Sequence, residues 1–128
     1  MAAIGRFLVT AFFAVVFGQS ALDKLFDVEG NVGYFQDHFK SSPFPPEMIR
    51  PLFWLLTAIE ATAGALCALG LLTFSFLRPG FGVASLGLTA AGVALLSLLL
   101  GQRMAKDYAG AAVVAAYFAV ALIGLSLF

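Results

Sequence analysis

The sequence predicts an all-α protein, a transmembrane four-helix bundle with a long loop between its first and second helices. Three observations predict it. The chain has 128 residues of which 62% are apolar and only 11% charged, against about a quarter charged in a water-soluble domain. Its mean hydropathy is +1.00, too high for a water-facing surface. Four apolar segments, 7–26, 51–77, 79–100 and 108–128, are each near the roughly 20 residues that cross a bilayer core of about 30 Å. They use most of the chain, so 1–128 reads as one domain with no separate soluble part.

The first segment has a clean apolar run over 7–18. Gln19, Ser20, Asp23 and Lys24 then occupy its last two turns. With Arg6 as a basic flank and Gly18 and Ser20 as small residues, a cleaved signal peptide is the alternative reading. Between the first two segments, Gly30 to Gly33 read as a turn and 34–40 as a short interfacial helix. Pro43, Pro45 and Pro46 then favour extended backbone. Phe44, Phe53 and Trp54 suit an aromatic belt. Pro51 and Pro79 stand where a first helical position tolerates a missing N–H. Arg78-Pro79-Gly80 predicts a tight turn between the second and third segments, and 101–107 a short link between the third and fourth. Such links force antiparallel neighbours. Small residues four apart, among them Gly64/Ala68, Gly87/Ala91 and Ala111/Ala115/Ala119, permit close helix contact. Phe7, Phe12, Phe13 and Phe17 read as a lipid or oligomer face.

Composition removes several function classes. Seven basic and seven acidic residues balance, with no basic tract to bind nucleic acid. Cys67 is alone, which excludes an internal disulfide and argues against a thiol–disulfide enzyme of the vitamin K epoxide reductase type. His38 is the one histidine and lies in a loop, so neither metal nor haem finds a ligand set. It reads as an exposed interfacial residue. Lys24, Lys40, Arg50, Arg103 and Lys106 share one membrane side and Arg6 and Arg78 the other. The basic count favours the first side as cytoplasmic. The six acids that accompany it tip the balance marginally to a cytoplasmic N-terminus.

Glu60 is the most informative residue. It lies near the middle of the second segment, nine residues or about 13 Å beyond Pro51. A carboxylate there costs several kcal/mol unless protonated, paired or facing water. Counted by depth, Gln19, Glu60 and Tyr117 fall in one layer on three helices. Gln19, Asp23 and Asp27 share a helix face at i, i+4 and i+8. Asp23 and Lys24 are adjacent and need other partners. The functional reading is a polar pocket lined by Gln19, Asp23, Lys24, Glu60, Arg103 and Tyr117 and capped by the long loop with Tyr34 and His38, with Glu60 as its catalytic or proton-relaying group. No metal or intrinsic cofactor is expected, and a quinone head group is the candidate ligand. The structural reading has the same cluster only fixing helix register.

Two stretches resemble the DoxX-like family of small four-span membrane proteins. Phe17-Gly-Gln-Ser-Ala-Leu-Asp-Lys24-Leu-Phe-Asp27 is similar to that family's first-helix ending. Glu60-Ala-Thr-Ala-Gly64-Ala-Leu-Cys-Ala-Leu-Gly70-Leu-Leu-Thr73 resembles its Glu-x-x-x-Gly followed by Leu-Gly-Leu-x-Thr. Gln19-Ser20 departs from the more usual Ser-Gly. The resemblance covers nearly the whole chain. It implies an integral protein of a bacterial cytoplasmic membrane, an accessory or anchoring subunit of a redox complex near the quinone pool. Partners implied are the lipid bilayer and other membrane subunits or further copies of the chain. It does not make the chain an enzyme by itself. A non-enzymatic structural subunit is the alternative. A small transporter using Glu60 is a weaker one, because no internal repeat is evident.

Overall fold

The computed structural model describes residues 1–128 and is all-helical, with no strand. Five helices form in order: α1 (Ala2–Phe26), α2 (Val28–His38), α3 (Ile49–Leu72), α4 (Val83–Met104) and α5 (Tyr108–Ser126). All except α2 are long and apolar enough to cross a membrane. The transmembrane four-helix bundle predicted from composition is what the chain forms. The most extensive contacts join α1 to α3, α3 to α4, and α4 to α5.

Several boundaries differ from the expected ones. The helix α1 begins at Ala2, so Arg6 lies inside it and is 8% exposed. Its guanidinium is satisfied by three carbonyl oxygens, donating to Phe76 (Nε, 2.7 Å), Leu127 (3.1 Å) and Leu77 (3.2 Å). A charge so fully hydrogen-bonded need not flank the span.

The expected turn at Gly30 to Gly33 is the interior of α2, which ends at His38 rather than Lys40. Asp27 explains the shift. Its carboxylate caps the helix by accepting from Gly30 N (3.1 Å), and Asn31 Nδ2 donates to the Asp27 carbonyl (2.8 Å). A side chain at Gly30 would collide with that carboxylate. Local capping thus overrides the two glycines. Val32 is buried beneath α2, and Phe35 meets Phe53 of α3 edge-on at 5.6 Å.

The link between α3 and α4 is also longer than the predicted tight turn. The helix α3 stops at Leu72, and α4 starts at Val83. Phe74 adopts a left-handed φ of 56°, a 3₁₀ turn covers Ser75–Leu77, and Gly80 has φ 92°. Ser75 Oγ accepts from Ala84 N (3.1 Å), and Ser85 Oγ accepts from Gly82 N (2.8 Å). These hydroxyls satisfy backbone donors that a three-residue turn would not have freed. At the other end Asp107 caps α5 by accepting from Gly110 N (2.9 Å).

Lipid tails are as apolar as leucine, so close packing rather than exclusion from water holds such helices together. Small residues set the approach. A Cβ on Gly64 would lie 2.7 Å from Gly18 N, one on Gly87 2.8 Å from Cys67 N, and one on Gly70 2.8 Å from the Ala84 Cα. Among the phenylalanines of α1, Phe13 and Phe17 are core residues, stacked at 5.8 Å, while Phe7 and Phe12 face outward. Thr10, Phe13, Phe17 and Ala21 recur at helical spacing, which selects that half of the phenylalanines for the interior.

Candidate functional site

Glu60 of α3 is 2% exposed and is reached by two side chains of α1. Ser20 and Lys24 are one helical turn apart, so they stand on one face. Ser20 Oγ donates to Glu60 Oε2 at 2.5 Å. Lys24 Nζ donates to Ser20 Oγ at 2.9 Å and lies 3.0 Å from Glu60 Oε1. The Gly18–Gly64 contact one turn away brings the helix backbones close enough for these short reaches. The Lys24 ammonium is the one polar partner of Glu60 Oε1.

The Lys24 side chain is 12% exposed. Lys24 is thus the more accessible member of the pair, two residues before the end of α1. An ammonium, a hydroxyl and a carboxylate in mutual contact can bind a small polar group or pass a proton between oxygen and nitrogen.

The other residues named from the sequence are placed elsewhere. Gln19 and Asp23 are exposed, and neither bonds Glu60. Tyr117 lies edge-on to Phe12 at 5.7 Å and is 37% exposed. The Arg103 guanidinium stands 4.8 Å over the Tyr108 ring. Tyr34 stacks on His38 at 5.4 Å and lines a cavity that contains neither Lys24 nor Glu60. Of the residues expected to line the pocket, the structure brings together Lys24 and Glu60.

Sequence reasoning passed over Ser20. Its signal was the spacing Phe13, Phe17, Ser20, Lys24, the continuation of the buried stripe of α1. It also treated His38 as an exposed residue. His38 Nε2 lies 2.9 Å from Gln102 Oε1 and 3.7 Å from Asp107 Oδ2, with its side chain 19% exposed. His38 and Gln102 line a cavity of about 300 Å³ between α2, α3 and the last turns of α4. Glu60 does not line it, although its neighbour Ile59 does. At the outer surface, Arg50 donates two hydrogen bonds to Glu29 (3.1 and 3.0 Å), tying α2 to the start of α3. The guanidinium holds the Glu29 carboxyl below its usual range, by hydrogen bonding first and by charge second. No three His, Cys, Asp or Glu side chains converge to hold a metal ion.

The sequence matches the family model of the methylamine utilisation protein MauE over residues 1–107. The match takes in α1 to α4, with Ser20, Lys24, Glu60, His38, Gln102 and Asp107. No curated protein and no solved structure matches the chain. The match and the motif resemblance agree on a small multi-pass membrane protein, and the chain belongs to the MauE family.

Proposed function

We propose that this protein is an accessory subunit of a membrane redox system, of the kind the family's methylamine-utilisation name suggests, with Lys24, Ser20 and Glu60 as its working polar site. The observation that carries the proposal is the state of Glu60. A carboxylate buried among apolar helices is expensive, and a buried ion pair is weak evidence of stability alone. Here the ammonium that faces Oε1 at 3.0 Å is itself 12% exposed, which suits a site that exchanges a proton or admits a small polar ligand. The motif resemblance to DoxX-like proteins points toward the same setting, beside the quinone pool. Glu60 would take or relay a proton, and Lys24 would attract an anion or steady the carboxylate.

The test is Glu60→Gln and Lys24→Met in a strain that oxidises methylamine, followed by methylamine-dependent oxygen uptake in its membranes. Loss of uptake with normal levels of the chain and its partners supports the proposal. Unchanged uptake by both variants rejects the working role of the site.

A second reading is favoured by one surface. Ala112, Ala115, Ala116 and Ala119 are all exposed on α5. Small residues on an outer helix face permit close docking of another membrane helix. On this reading the chain is a structural subunit. Mild-detergent purification yielding a stable lone chain would count against it.

A further inference from the structure

A separate cavity, beneath α2, is distinct from the Lys24–Glu60 pair. Its walls are apolar and aromatic: Phe35 and Phe39 from α2, Leu56 and Ile59 from α3, and Leu98 from α4. At about 300 Å³ it stands at the small end of ligand cavities, enough for one substituted ring. Its polar lining is His38 and Gln102, in contact with each other, Tyr34 stacked on His38, and Ser97 on α4. Its rim includes Leu55 and Leu100, each 59% exposed on a membrane-spanning helix and so facing lipid.

The histidine specifies what this polar lining accepts. Nε2 faces two acceptors, Gln102 Oε1 at 2.9 Å and Asp107 Oδ2 at 3.7 Å. Both acceptors favour the tautomer with its proton on Nε2, which leaves Nδ1 as an acceptor. No hydrogen bond within the protein uses Nδ1. A group that donates an O–H fits it. The Asp107 carboxylate close by disfavours an anionic head group such as a lipid phosphate.

We propose that this cavity binds a lipid-soluble hydroquinone, with one ring hydroxyl donating to His38 Nδ1, the ring among Phe35, Phe39 and Leu56, and the apolar tail leaving past Leu55 and Leu100 into the bilayer. The inference deepens the redox reading by naming a ligand class and a second site. It concerns binding alone, and no electron transfer is assigned.

The test is equilibrium binding of radiolabelled decylubiquinol to the full chain in lipid nanodiscs, with empty nanodiscs as the partition control. Saturable binding near one per chain is expected, and decylubiquinone, which has no hydroxyl to donate, should bind about tenfold more weakly. Leu56→Trp fills the cavity from α3, and Ser97→Phe fills it from α4 without touching His38. Each should weaken binding at least tenfold while helix content stays the same. His38→Ala should abolish the preference for quinol over quinone. Uptake equal to that of empty nanodiscs overturns the proposal, as does binding that neither filling variant weakens. Equal affinity for quinol and quinone overturns the role of Nδ1. Since the readout is binding by the isolated chain, its failure leaves the accessory-subunit reading standing, and unchanged methylamine oxidation in the Glu60 variant leaves the binding result standing.

Discussion

Lys24 Nζ lies 3.0 Å from Glu60 Oε1 across the α1–α3 interface, and Ser20 bridges the two by bonding each of them. Three polar groups at one crossing, in helices otherwise joined by small and apolar residues, couple the stability of the bundle to one charge pair. Removing one member of a buried pair strands the other, which typically costs about 3–5 kcal/mol, whereas removing both costs far less.

Lys24→Met is therefore expected to destabilise the folded bundle by on the order of 3 kcal/mol. The double variant Lys24→Met/Glu60→Gln should recover most of that loss. Equilibrium unfolding in bicelles by steric trapping measures both. A double variant as unstable as the sum of the singles would show that the two residues act independently.

Gly64 and Gly18 form a contact that is sensitive from one side only. A Cβ at Gly64 would press on the Gly18 backbone at 2.7 Å, while one at Gly18 meets nothing within 4 Å. Gly64→Val should push α1 away from α3 and destabilise by about 1–3 kcal/mol or more. Gly18→Ala should be nearly silent. The same unfolding assay compares them, and equal effects would contradict the packing described.

Arg6→Ala removes hydrogen bonds to Phe76, Leu77 and Leu127, of which the bond to Phe76 is buried and the other two are half-buried. A loss of about 3 kcal/mol is expected, since bonds to charged groups contribute roughly 1.5–3 kcal/mol each and lipid or water will replace some of them. Faster hydrogen exchange at Leu77 and Arg78 is the local sign to measure.

The Arg50–Glu29 bridge makes the docking of α2 dependent on pH. Glu29 has its pKa lowered from 4.5 in the folded protein, so the contribution of the pair is present above pH 4.5 and fades as pH falls through the lowered value. Both residues are well exposed, so salt should weaken the contact as well. Spin labels at Gly33 and Ala58 would report a widening α2–α3 distance at low pH. In Arg50→Ala the distance should be wide already at neutral pH.

The four spans were legible because hydropathy over twenty residues is a strong constraint that no local feature overrides. Helix ends were less so. The beginning of α1 was set too late because Arg6 looked like a flanking charge, when carbonyls 70, 71 and 121 positions away satisfy it. The turn expected at Gly30 gave way to an Asp27 cap, a local feature present in the sequence but outweighed by two glycines. Depth counting placed Glu60 correctly in the interior. It says nothing of rotation about the helix axis, so it grouped Tyr117 and Gln19 with Glu60 although both face outward. The stripe of Phe13, Phe17, Ser20 and Lys24 does carry that rotation. Nothing in the sequence announced the cavity beneath α2, because it depends on where an eleven-residue helix settles.

Arg6 and its partner Leu127 are 121 positions apart. Gly80 N also donates to the Phe128 carbonyl oxygen, at 2.6 Å, on the same face of the bundle. During synthesis the arginine enters the membrane long before the carbonyl that completes its shell exists. Until then it is an unfinished charge that must stay near water or a chaperoning surface. The first helix is thus expected to settle at its final depth only after the fifth has arrived, so that assembly of the bundle closes from its last span back to its first.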